Sequence, residues 1–248
     1  MRISFRPLPR SALIFGLMGL ASVVLLAIGL VGLFRALGSD STDLPSAGSI
    51  EELIDDSLPP PDTSSADVPL QSEAPAPSGP RPSRLLIDSI DVDAPVVAMS
   101  LDSQSLPEVP NRGEDVAWYD FGALPGQGSN ALFAGHVDWQ YGVEPEEGAF
   151  FHLKETQVGD LVRVHLKDGQ KLSYRVTANV AINYADPNVL KVMGPTAKDV
   201  ITLITCGGSW FANGDPPNGG TYSHRVIVRA EKVNANATST GDIAYPRG

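Results

Sequence analysis

Basic residues and cysteine are scarce in this chain of 248 residues, and each shortage closes off a class of function. Eighteen Lys and Arg stand against 29 Asp and Glu, a formal net charge of −11. Phosphate binding needs a concentrated basic face, so nucleic acid is excluded as a partner. A single cysteine can form neither an internal disulfide nor a structural zinc site, and there is no Cys-x-x-Cys or His-x-x-x-His pair. Asp88, Asp91 and Asp93 lie close together but lack the glycine and distal glutamate of a calcium loop. Phosphate-loop and dinucleotide signatures are missing as well, so no metal or cofactor is expected. No helix-length amphipathic segments separate the β-type runs, which disfavours a parallel α/β sheet.

Charge of either sign is missing from residues 11–34, which are dominated by Leu, Ile, Val, Ala and Gly. At about 1.5 Å per residue such a helix crosses a ~30 Å hydrocarbon layer, so this run reads as a transmembrane anchor. A cleaved signal peptide is the competing reading. Its apolar region is usually only about 7–15 residues and ends at a small-residue site, which Phe34-Arg35-Ala36 is not. Arg2, Arg6 and Arg10 precede the run and only Arg35 closely follows it. That bias predicts a cytoplasmic segment 1–10, a single pass through the cell membrane and an extracellular remainder. Residues 35–82 then read as a linker. Nine prolines fall between Pro45 and Pro82, and no Lys or Arg occurs between Arg35 and Arg81. Too little apolar surface is available to offset ordering entropy, so the linker is expected to be disordered, with a brief helical turn at 50–54. It would hold the next domain away from the membrane.

From residue 83 the composition changes to short β-type runs at 84–90, 94–99, 115–119, 131–137, 161–167, 171–182, 200–205 and 225–233. Asp168-Gly169 between two alternating runs signals a hairpin. Helical signals are confined to 149–155 and 187–192. A mainly β domain over 83–233 follows, either a closed barrel or a sandwich, with a loose polar tail at 234–248.

A lone thiol in an exported domain is either buried and inert or reactive. The local sequence favours the second reading. The apolar strand 200–205 runs straight into Cys206, and Gly207 and Gly208 follow, where glycines let another backbone approach and release amides. With an ordinary pKa near 8.5 a thiol needs a base or cation nearby. His152 and His165 read as surface residues, while His224 adjoins Arg225 and stays a candidate. His136 ends another apolar strand at a Gly-His pair, repeating the arrangement at Cys206. Arg225 carries a permanent charge that could stabilise an oxyanion or a thiolate.

These segments together resemble the sortase family. Ala134-Gly135-His136-Val137-Asp138 resembles its histidine motif, Thr202-Leu203-Ile204-Thr205-Cys206 its cysteine motif, and Ser223-His224-Arg225-Val226-Ile227-Val228-Arg229 its arginine strand. Arg84-Leu85-Leu86-Ile87, Trp118-Tyr119, Gly148-Ala149-Phe150 and Val158-Gly159-Asp160 add to the likeness. Cys206-Gly207-Gly208 looks closest to the class F or class E-like actinobacterial branch. The resemblance implies a closed eight-stranded β-barrel with short helices and a Cys206, His136, Arg225 site. Cys206 would attack a C-terminal sorting signal of surface proteins and form a thioacyl enzyme, which an amine of the cell-wall precursor resolves. His136 would carry the proton, Arg225 would steady the oxyanion, and Asp138 is placed to orient His136. The alternative is an anchored, non-catalytic binding module of the same shape.

Overall fold

The computed structural model describes residues 44–55, 77–140, 145–212 and 220–233. The expected cytoplasmic segment 1–10, anchor at 11–34 and tail at 234–248 lie outside them, as do 35–43 and 56–76 of the expected linker. Among the described residues no helix is long and apolar enough to cross a membrane.

Eight strands close on themselves. They are β2 (Pro82–Ile87), β3 (Val92–Met99), β4 (Val116–Tyr119), β5 (Asn130–Gly135), β8 (Leu161–Leu166), β9 (Lys171–Asn183), β10 (Val200–Ala212) and β11 (Gly220–Lys232). Their order is β9-β11-β10-β5-β4-β3-β2-β8, and β8 pairs back onto β9. Closure removes every sheet edge within the ring. Two pairs are parallel, β3 with β4 and β5 with β10. A short hairpin of β6 (Asp138–Gln140) and β7 (Pro145–Glu147) stands apart. The β8–β9 turn forms at Asp168-Gly169 as expected: Gly169 takes φ 90°, and Asp168 Oδ1 accepts from the amide of Gln170.

Strand alternation sends one set of side chains inward. Leu85, Trp118, Phe133, Tyr174, Leu203 and Val228 meet there, all essentially without solvent exposure. Trp118 keeps its indole N–H satisfied by donating to Ala123 O at 3.0 Å. The outward set makes two smaller apolar patches. One holds Ala178, Val180, Ile182 and Ile227, and the other Ala117, Tyr119 and Leu132.

The first patch is covered by part of the segment read as linker, which corrects that reading. β1 (Ser46–Ala47) pairs with β9, and α1 (Ile50–Asp55) packs its Ile50, Leu53 and Ile54 on the patch, with Leu53 only 2% exposed. The reason is local. Apolar residues at i, i+3 and i+4 build one helix face, and Ser49 Oγ accepts from the Glu52 amide at the helix start. Ser49-x-x-Glu52 is the capping pattern, diluted by the surrounding prolines. α2 (Asn188–Lys191) begins one residue inside the helical signal 187–192 and contributes Val189 to the same patch.

Candidate active site

Cys206 lies inside β10 and not at a strand end. The Gly-Gly pair that follows is absorbed as a β-bulge between Gly207 and Trp210, after which β10 continues to Ala212 against β11. Gly208 takes φ 76°, a conformation that side chains rarely adopt. At Gly207 an added Cβ would stand 2.8 Å from a methyl of Val226. The glycines therefore do admit a close neighbour, as expected, but they bend the strand without ending it. For the same reason Arg225 does not open the last strand, which starts at Gly220.

Register brings the three candidates together. Cys206 and Arg225 are direct partners in the β10–β11 ladder. In the parallel β5–β10 ladder the last pair is Ala134 with Ile204, and His136 and Cys206 each lie two residues further on. The ladder stops at that last pair: His136 follows the end of β5 by one residue and has no ladder partner, so the register brings it to the same end of the sheet as Cys206. Thr205 Oγ1 donates to Gly135 O at 2.8 Å and fixes the strand end that delivers His136. Ile201, Leu203 and Val226 face the interior, so the alternation places Cys206, Arg225 and His136 outside the barrel. His224 pairs with Gly207 and so points to the opposite face from Arg225. His152 contacts Glu155 and Glu147, and His165 lies on β8. Of the four histidines, His136 is the one that directly follows β5, the parallel neighbour of the cysteine strand.

His136 is held on both sides. Its Nε2 lies 2.8 Å from Pro110 O, and a carbonyl only accepts, so Nε2 carries the proton and Nδ1 is the basic nitrogen of the neutral ring. Trp139 packs on the ring with centroids 4.7 Å apart. The His136 backbone O accepts from the Phe150 amide at 2.9 Å. Gly148 admits this approach, because a Cβ there would fall 2.2 Å from His136 O.

Asp138 does not hydrogen-bond to His136 in this structure. Its Oδ2 accepts from the Tyr222 hydroxyl at 2.5 Å. The Arg225 guanidinium donates to Tyr222 O at 3.2 Å, to His224 O at 3.0 Å and to Thr221 Oγ1 at 3.4 Å, and it lies 5.8 Å from the centre of the Tyr184 ring. Burial pushes the Cys206 thiol above its ordinary range; Arg225 pulls it down and the Asp138 carboxylate pushes it up. The sulfur therefore stays largely protonated at neutral pH and needs a base to remove its proton.

Pro110 O, Tyr222, Trp139 and Tyr184 are the parts of the site that sequence reasoning missed. A backbone carbonyl has no residue-type signature. Tyr222 carries none either until the bulge sets the register of β10 and β11. Among the described residues no three His, Cys, Asp or Glu side chains are placed to hold a metal ion.

Sortase A of Corynebacterium diphtheriae, a lid mutant, is 25% identical over 64% of this chain and 74% of its own, with a TM-score of 0.44. Sortase C-1 of Actinomyces oris is 26% identical over 61% and 73%, TM-score 0.43. The Clostridium perfringens sortase D5 transpeptidase is 18% identical over 61% and 78%, TM-score 0.41. A search of curated proteins gives no match. The Sortase domain model matches residues 85–233, the whole barrel except its first residues, and the chain belongs to the sortase family.

Proposed function

We propose that this chain is a cysteine transpeptidase of the sortase type, anchored in the cell membrane by residues 11–34 with its barrel on the extracellular side. The observation that carries this reading is the register of three adjacent strands: Cys206 pairs with Arg225 on β11, and on the other side β5 runs parallel to the cysteine strand and ends one residue before His136. The substrate is a C-terminal sorting-signal peptide of a surface protein, and the acceptor is an amine of the cell-wall precursor. Cys-Gly-Gly at 206–208 supports placement near the class F or class E-like branch.

In this reading the Cys206 sulfur attacks the scissile carbonyl carbon while His136 Nδ1 takes the thiol proton. The Arg225 guanidinium, neighbour of Cys206 in the ladder, faces the oxygen that gains negative charge. Collapse breaks the C–N bond, and His136 returns its proton to the leaving amine, giving a thioester. The acceptor amine then attacks the thioester carbonyl, and His136 takes a proton from that amine. The second collapse breaks the C–S bond, and the departing sulfur recovers the proton. Pro110 O keeps the imidazole in the required tautomer throughout.

The test is mass spectrometry of the purified barrel after incubation with a library of sorting-signal peptides. An acyl adduct on Cys206 that an added amine discharges is the expected result. Turnover retained by Cys206→Ala would remove the thiol from the mechanism, and neither adduct nor turnover in the parent protein would leave the binding-module reading.

A further inference from the structure

We propose that Tyr222 is a positioning residue of this site, and that its hydrogen bond to Asp138 is a clasp joining the loop after His136 to the strand that carries Arg225. The inference rests on Cys206 being the reactive group. Asp138 follows His136 by two residues, and Trp139, next in the chain, packs on the imidazole. Tyr222 precedes Arg225 by three residues, and its backbone O accepts from the Arg225 guanidinium. One residue thus meets the β6 strand that follows His136 through its hydroxyl and the guanidinium through its backbone carbonyl. The hydroxyl donates to Asp138 Oδ2 at 2.5 Å, and the ring is braced edge-on by Trp210, centroids 5.2 Å apart.

The clasp has an electrostatic side as well as a mechanical one. Asp138 is an anion close enough to Cys206 to oppose ionisation of the thiol. A hydroxyl donating to that carboxylate draws its charge away from the sulfur. The phenol itself is held protonated, first by burial and then by Asp138, so it remains a donor across the working pH range. The other charged or titratable groups around the pair are Arg225 on β11, His136 at the end of β5, and Glu147, which pairs with Asp138 across the β6–β7 hairpin and meets His152. His224 faces away. Arg225 and the Tyr222 hydroxyl are therefore two separate counterweights to Asp138.

The two ends of the clasp make opposite predictions. Tyr222→Phe keeps the carboxylate and removes its donor, so the thiol becomes harder to ionise. Asp138→Asn removes the charge and keeps an acceptor for the hydroxyl, so the thiol becomes easier to ionise. The experiment is the rate of iodoacetamide alkylation of the intact protein across pH, with thermal melting as a control and turnover measured alongside. Expected at neutral pH is alkylation slower by roughly threefold in Tyr222→Phe and faster by roughly threefold in Asp138→Asn. Turnover of Tyr222→Phe should fall about tenfold in kcat with KM little changed, from misplaced catalytic groups. Shifts in the same direction, or none in either folded variant, would overturn the clasp. If Tyr222→Phe does not fold, Asp138→Asn alone decides: an unchanged or slowed alkylation profile refutes it. Alkylation reads the thiol whether or not peptide is turned over. Active Cys206→Ala therefore defeats the transpeptidase reading, while a flat profile defeats only the clasp.

Discussion

On β10, Ile201 and Leu203 turn into the barrel, whereas Thr202, Ile204 and Cys206 turn outward. The inner residues are buried among Phe133, Val226 and Val228 and contribute to stability. The outward row leads along the same strand to the half-buried Cys206, which has Arg225 as its partner on β11 and β5 alongside on the other flank. One strand thus serves two tasks on alternate residues, and the pleat keeps them apart. Changes at Cys206 should remove chemistry and spare the fold, and changes to the inner row should do the reverse.

That separation can be broken or sharpened by substitution. The largest effect is expected for Cys206→Ala: peptide turnover should drop to background while circular dichroism and the melting midpoint stay near those of the parent. His136→Ala should lower kcat/KM by ~10²–10⁴-fold, the usual span for loss of a general acid–base. Arg225→Ala should cost ~10²–10³-fold, read as a fall in kcat with an unchanged circular dichroism spectrum. In contrast, Leu203→Ala on the inner face should cost about 2–5 kcal/mol in denaturant unfolding and leave kcat of the folded fraction near normal. A fall in kcat as large as that of Arg225→Ala would show that the two faces are not independent. The smallest effect is expected from pH. The thiol lies above its ordinary range because of burial, so its thiolate fraction grows as pH rises. Alkylation should still be climbing well above pH 8.5, and a plateau below that would mean the cation outweighs burial.

The barrel was readable because its strands alternate so strongly, and several strands end within a residue or two of the expected positions. Departures cluster where glycine or aspartate is ambiguous. Ile90 looks like the end of a strand, but the chain turns after Ile87 into a short 3-10 turn closed by Asp91 at φ 52°. Gly207-Gly208 reads as a stop and is a bulge, which hid the seven further residues of β10. The β6–β7 hairpin is too short to show a period at all. Of the site, the thiol, imidazole and guanidinium were legible from residue type and neighbouring strands. Tyr222, Trp139 and Pro110 O were not, because their roles depend on tertiary register and on a carbonyl that any residue could offer.

The docking of α1 also changes the length of the leash. If residues 11–34 are the anchor, only residues 35–43 separate it from Leu44, the first described residue, because Ser46 to Asp55 belong to the folded body. Ten Cα steps span at most about 35 Å, whereas the full proline-rich stretch to residue 82 could extend several times further. On the proposed anchoring, that shorter leash sets an upper limit on the chain length between anchor and barrel. The residues from 56 to 76 then add nothing to that reach, since the chain has already met the barrel before them.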